Sequence, residues 1–419
     1  MSLSGTASAP SAVWADGVPQ PKMPYSPAVR AGDWLFVAGQ LASDFQLGLP
    51  LEVQPANPYL VSPEALQGEF ILKNLAPTVA AGGADLGRDG VRVSRWFTGA
   101  DPHESGTARW AGRGVSDYLA VEAPYGVTGA GSSLGIGELM VLGTRVEIDV
   151  IARVDDAEPV VVTGPSGAPV GVSRGDWVFL GSQAPSPVTG WDPVDRQTHR
   201  LLDELGGLVP DATPVKAEVA VRDARDLPAF ERAWRERYGD GGPARVVVTG
   251  AHPCDPTVDV EIALTLYRGA DVEVVQTDDA PAPFGGGPQA VRAGDLLLLS
   301  GQIAVGADGA VTPGTTRSAS FPWYGSPGRL QMERVLDDVA TICAAGGSRL
   351  EHVVRRVCYH DDLATFAESI AAWSERFPGV KPASTTLRTA GPLPVPGATT
   401  LLDLIAWAGS PSTEEGLTS

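Results

Sequence analysis

VRAGDWLFVAGQ, residues 29–40, is said twice more in this chain, as VSRGDWVFLGSQ at 172–183 and VRAGDLLLLSGQ at 291–302. In each phrase a Gly-Asp pair precedes an apolar run: Gly32-Asp33, Gly175-Asp176 and Gly294-Asp295. Glycine reaches positive φ without penalty and aspartate bonds its own backbone, so the pair reads as a hairpin corner. The runs end at Gln40, Gln183 and Gln302 and are apolar almost throughout. That is the pattern of a strand covered on both faces. The spacing is well above the roughly 50 residues of the longest solenoid repeats, so the phrase marks duplicated domains.

The same signals follow each phrase. In the third copy Leu330, Val335, Leu336, Val339 and Ile342 recur at helical spacing before Gly346-Gly347. In the first, Leu66, Phe70, Leu75 and Val79 precede Gly82-Gly83; in the second, Val194, His199, Leu202 and Leu205 precede Gly206-Gly207. These patterns predict amphipathic helices with glycine stops. A strand comes next, as VRVSRWFTG, VKAEVAVRD and HVVRRVCYHD. LPAFERAWRERYG and LATFAESIAAWSERF then predict a second helix in copies two and three. Copy one has a glycine-rich, weakly periodic insert instead (101–122), around Trp96, His103, Trp110 and Arg113. An atypical segment beside a cleft can reshape it, which makes Trp110 a candidate substrate contact. Closing strands are TRVEIDVIARV, TVDVEIALTLY and TTLLDLIAWAG. The expected domains are 21–155, 160–269 and 283–408, with loose tails at 1–20 and 409–419 and linkers rich in Pro, Gly and acid.

The 419 residues are 43% hydrophobic, enough for each copy to bury a core. A net charge of −19 argues against nucleic acid and anionic membrane as partners. The N-terminus lacks the basic start and apolar core of a secretory leader. Three cysteines, Cys254, Cys343 and Cys358, have no zinc-ligand spacing, so the expectation is a cytoplasmic protein with free thiols and no metal. His252 with Cys254, and Cys358 with His360, lack the companions a metal would need. Cys343 reads as a small core residue, and GSSLGIGEL does not follow the strand-to-helix pattern of a phosphate loop.

In their repeated order these motifs resemble the RidA (YjgF-type) family of enamine/imine deaminases. The carriers are the R-x-G-D opening with its closing Gly-Gln, the helix ending in Ala-Gly-Gly, the D-L-x-x-F start of the second helix, P-A-R, and the closing V-E-I-x-x-I-A. The resemblance implies an α+β, chorismate-mutase-like fold in each copy, with sheets inside and helices outside. Family members are homotrimers with clefts between subunits, so three fused copies imply a monomeric pseudo-trimer, with further oligomerisation open. An amphipathic sheet needs its second face covered, and neighbouring copies can cover it.

The resemblance also implies a cofactor-free reaction in which an arginine holds a substrate carboxylate and polar groups position water. The P-A-R arginine survives as Arg245; copy three has Ser384 there, and copy one has Gly126 or Tyr125 nearby. The tyrosine before the first hairpin is Tyr25, against Ala168 and Gly287. The serine before Gly-Gln is Ser300, against Ala38 and Gly181, with Ser182 adjacent to the latter. The closing-strand acid reads as Glu147, Asp259 and Leu401 in turn. No copy is complete, so the expected cleft is shared: Arg245 with Tyr25 and Glu147 or with Ser300, while Asp259, Ser182 and Trp110 contact substrate. Copy three, short of arginine and acid, reads as structural. The expected activity is that of a specialised enzyme, as in secondary metabolism, on a small carboxylated imine or enamine. The alternatives are a chorismatase-like hydrolase and a non-catalytic binding or scaffold protein.

Overall fold

The computed structural model describes residues 9–409 apart from 59, 99–106, 128, 254 and 256, and gives residues 107–112 as backbone alone. Copy one runs β1 (Ala28–Ala31), β2 (Trp34–Leu41), α1 (Pro63–Ala81), β3 (Gly90–Thr98), α2 (Thr107–Glu122), β4 (Ala130–Ile136) and β5 (Val146–Arg153). Copy two runs β6 (Pro169–Arg174), β7 (Trp177–Gln183), α3 (Val194–Leu208), β8 (Thr213–Val221), α4 (Leu227–Tyr238), β9 (Ala244–Thr249) and β10 (Val260–Tyr267). Copy three runs β11 (Ala290–Ala293), β12 (Leu296–Leu299), α5 (Pro327–Ala345), β13 (Val353–His360), α6 (Phe366–Arg376), β14 (Ala383–Arg388) and β15 (Thr400–Trp407). Gly32, Gly175 and Gly294 at the three corners have φ of +54°, +56° and +53°, where any side chain would strain the turn.

Each copy forms one α+β sheet in a common strand order, β1-β2-β5-β3-β4 in the first, with its helices on one face. Short strands are exchanged between copies. His252–Pro253 of copy two adds to β4, and Glu138–Leu139 of copy one adds to β14. The helix-facing side of each sheet builds a core of its own. The opposite sides of all three build a shared one around Trp34, Trp177, Phe36, Phe179, Leu298 and Ile405. The rings of Trp34 and Trp177 meet edge to face at 5.1 Å, and the Trp34 indole donates to Asp295 across the copies at 2.9 Å.

Within that core lies a belt of charge. Arg92, Lys216 and Arg355 occupy one equivalent place, opposite Ile151, Thr265 and Ile405 of the closing strands. Copies one and three supply acids from their closing strands, Asp149 and Asp403. Copy two has Ala263 there and supplies Glu218 from β8. Arg355 reaches Asp149 at 2.8 Å and Asp403 at 3.2 Å, Arg92 pairs with Glu218, and Lys216 pairs with Asp403. The six charges balance, as buried charges must.

Some sequence expectations are corrected. Residues 107–122, expected as an irregular insert, form a helix. Its inward positions include Gly114 and Tyr118, which pack closely on Glu64 and Gly68 of α1. The glycines that weaken the apolar pattern are thus a close helix contact. Gly206-Gly207 does not stop α3, which runs on to Leu208. His199 points outward to Glu236 at 3.1 Å, and Leu330 is 40% exposed.

Candidate active site

The signature glutamines set the register of the three clefts. Gln40, Gln183 and Gln302 pair with Ile148, Ile262 and Leu402 of the closing strands. The residues just before these are Glu147, Glu261 and Leu401. The acid of copy two is therefore Glu261, not Asp259. Asp259 lies on the strand's approach, where it takes a hydrogen bond from Gln197 (3.0 Å) and faces Arg222 (3.4 Å). A second register places the arginine. Arg245, Ser384 and Gly131 pair with Ala217, Arg356 and Val93 on the neighbouring strands. The counterpart in copy one is thus Gly131, rather than Gly126 or Tyr125.

Arg245 lies against copy three. Its backbone N–H donates to Ser300 Oγ at 3.1 Å, and its carbonyl accepts from Gly301 at 2.8 Å. The guanidinium is 3% exposed and lies 5.0 Å from the ring of Trp234, with Nη2 donating to Glu231 at 2.7 Å. A side chain on Gly285 would collide with both partners of that pair. Leu401 stands for the acid and Gly287 for the tyrosine. Ser300 Oγ donates to the carbonyl of Pro288 at 2.6 Å, so it holds the seam. The structure joins Arg245 to Ser300 and separates it from Tyr25 and Glu147.

Between copies one and two an arginine comes from elsewhere. Gly131 leaves room that Arg95 of β3 fills. Arg95 forms a two-point pair with Glu122 of α2, to which the Tyr118 hydroxyl also donates (2.8 Å). Across the seam Ser182 donates to Glu261 at 2.7 Å, and burial pushes the Glu261 carboxyl up to about 7.

The seam between copies three and one differs from both. Arg356 of β13 lies beside Ser384, donating to it at 2.9 Å and to Thr386 at 3.3 Å. Its guanidinium sits 4.3 Å from the ring of Trp373. Among the described residues no carboxylate is in ion-pair range of Arg356, and burial lowers its pKa. Arg356 opens on a cavity of ≈ 100 Å³ that copy one closes with Tyr25, Glu147 and Phe45. Glu147 is 3% exposed. Burial, and then the charge of Asp149, pushes its carboxyl well above the usual range. Its Oε2 has no hydrogen-bond partner. Burial and the neighbouring Glu147 push the Tyr25 hydroxyl up as well. Ser26 stitches the seam by donating to the carbonyl of Pro382 at 3.3 Å.

Each copy therefore buries an arginine under its helices, from three different sequence positions: Arg95, Arg245 and Arg356. Copy three, expected to be structural for want of its P-A-R arginine, carries one a strand over. The signal was a charged residue inside an apolar strand, at VRVSRWF and VVRRVCY. The Trp110 side chain lies outside the described residues, as do Cys254 and His103. Cys358 and His360 are buried together at 3.2 Å, and burial pushes the Cys343 thiol up to about 12. Among the described residues no cluster of His, Cys, Asp or Glu could hold a metal, and no helix is long and apolar enough to cross a membrane.

Comparison with known proteins agrees with this architecture. The family described as Endoribonuclease L-PSP matches residues 277–406. A RutC family protein of Pyrococcus abyssi is 30% identical over 112 residues, 26% of this chain and 79% of that protein. Reactive Intermediate Deaminase A, chloroplastic, of Arabidopsis thaliana is 31% identical over 118 residues, 28% of this chain and 57% of that protein. A chorismatase crystal structure aligns with 76% of this chain and 93% of its own at a TM-score of 0.51 and 12% identity, a likeness of fold.

Proposed function

The chain belongs to the RidA/YjgF (L-PSP) family, and from that premise we propose that it hydrolyses a small carboxylated imine or enamine in the cleft between copies three and one. One observation carries the reading: among the described residues Arg356 is a buried guanidinium without a carboxylate partner, and it lines one cavity with Tyr25 and with Glu147, whose carboxyl burial pushes well above the usual range. In the other two clefts Glu122 and Glu231 already occupy the arginine. A planar guanidinium suits a substrate carboxylate.

With the carboxylate on Arg356, the imine carbon and nitrogen extend toward Glu147 and Tyr25. Glu147 gives its proton to the imine nitrogen, which makes the carbon electrophilic. The carboxylate so formed takes a proton from the water that adds to that carbon, giving a carbinolamine. Glu147 then protonates the nitrogen again and takes the hydroxyl proton as the C–N bond breaks. Ammonia and a 2-oxo acid leave, and Glu147 ends protonated, as it began.

The test is ammonia release from imines made in situ by an amino-acid oxidase. Arg356→Ala is expected to lower the rate at least ~100-fold, as loss of a charge-assisted contact does, and Glu147→Gln ~100-fold through the lost proton transfer. Arg245→Ala, whose guanidinium is already paired, stays within several-fold of wild type. Ammonia release no faster than in buffer would sink the reading and favour a binding protein. A second chemistry, hydrolysis of an enol-pyruvyl ether, draws on the chorismatase-like fold and would release pyruvate. The cavity of ≈ 100 Å³ is short for a ring-bearing ether, which favours the imine.

A further inference from the structure

Apart from its polar end, the cavity is walled by carbon and sulfur. Leu41, Phe45, Met140 and Val141 come from copy one, and Phe366 and Ile370 from copy three. Met140 and Val141 are brought there by the exchanged strand Glu138–Leu139, which leaves copy one to pair with β14. Phe45 is held in an unusual way. Its φ is +56°, and among the described residues no other non-glycine has a positive φ. A bulky side chain is rarely kept in that region unless its surroundings impose it. Here a tight turn imposes it. Ser43 Oγ accepts the Phe45 N–H at 2.9 Å, and Asp44 Oδ1 accepts those of Gln46 and Leu47 at 2.8 and 2.7 Å. The Asp44 N–H closes the turn on the carbonyl of Gly48 at 3.2 Å. The turn thus spends backbone strain to set a phenyl ring in the wall of the cavity that Phe366 and Ile370 also line.

Resting on the reading of this cleft as a carboxylate site, we infer that it takes a monocarboxylate with a short apolar tail, and that Phe45 sets the tail's length. Arg356 is the one cation among the cavity's described lining residues, so it can neutralise one carboxylate. A second carboxylate on the same ligand would lie among Leu41, Met140 and Val141 with no donor to meet it. Burying an unpaired charge is among the costliest events in a protein interior. Size bounds the tail. A cavity of about 150 Å³ holds a six-carbon ring, so one of ≈ 100 Å³ holds on the order of four heavy atoms, which keeps the apolar tail beyond the carboxylate short.

Calorimetric binding of stable 2-oxo acids to the full chain tests this, because they keep the substrate's carboxylate and trigonal carbon. 2-Oxopentanoate and 2-oxoglutarate share a five-carbon chain and differ by the second carboxylate. The expectation is that 2-oxopentanoate binds ~100-fold more tightly, the scale of one unpaired charge after partial relaxation. Phe45→Gly removes the ring and the strain together, so the protein folds at least as well. It is expected to bring 2-oxooctanoate, excluded from wild type, to within about 10-fold of 2-oxopentanoate. Equal affinity for the two five-carbon acids, or a Phe45→Gly profile unchanged from wild type, overturns the inference and leaves the site standing. If no 2-oxo acid binds in an Arg356-dependent way, the carboxylate site itself falls.

Discussion

Glu261 and Glu147 share one position of the fold and one fate, a carboxyl raised by burial. Such a group opposes folding once its unfolded form ionises. Below pH of roughly 4.5 Glu261 is protonated whether the chain is folded or not, and it costs nothing. As pH rises toward about 7 the unfolded chain loses the proton while the folded one keeps it, so stability declines through that window. Above it the penalty is constant, on the order of 3 kcal/mol at most, with the opposing effect of the Ser182 bond already included. Glu261→Gln should therefore melt like wild type near pH 4.5 and several degrees higher at pH 8. A difference in melting temperature that does not change with pH would contradict the assignment. The same residue shows what sequence could and could not place. In VDVEIALTLY, Asp259 and Glu261 share one strand face, so alternation cannot choose between them. The choice belongs to the partner strand, where Gln183 meets Ile262. Register is a property of two strands, and one strand's sequence does not contain it.

At the scale of elements, corners, strands and first helices were legible because their signals are local: a Gly-Asp turn, an apolar run, a helical spacing. α2 was not, because Gly114 and Tyr118 serve a close contact with α1 that lies some fifty residues back. The helix matters for more than packing, since it delivers Glu122 to Arg95. Both side chains are only 7% exposed, so neither charge has water to fall back on. Removing one partner should cost about 3–5 kcal/mol, and replacing both by apolar groups of like size far less. Glu122→Gln is expected to lower the urea midpoint strongly, and Arg95→Met combined with Glu122→Leu to recover most of it. Equal losses for the single and double variants would mean that the pair acts through shape rather than charge. Arg356 escaped the sequence reading for a related reason. The family's motif marks a place on one strand, whereas the cleft requires a guanidinium in space, and β13 supplies it from beside the expected position.

The whole molecule is a pseudo-trimer in one chain, and its three parts need no longer be alike. A chain of separate subunits must carry identical clefts, because each is built from the same two surfaces. Fusion removes that constraint, and the charge belt shows the copies using their freedom: Ala263 breaks the pattern of Asp149 and Asp403, and Glu218 restores neutrality from another strand. The clefts diverge in the same manner. Glu122 and Glu231 are each attached to a helix of the copy that holds the arginine, so they compete with any external carboxylate at the effective concentration of a tethered group, in the millimolar range or above. A free ligand at micromolar concentration cannot displace them. Among the described residues Arg356 has no such competitor. One ligand per chain is therefore expected in a calorimetric titration with 2-oxopentanoate, and Arg356→Ala should abolish it while Arg245→Ala leaves the stoichiometry unchanged. Three ligands per chain would mean that the tethered carboxylates give way, and that the three copies still act as three subunits.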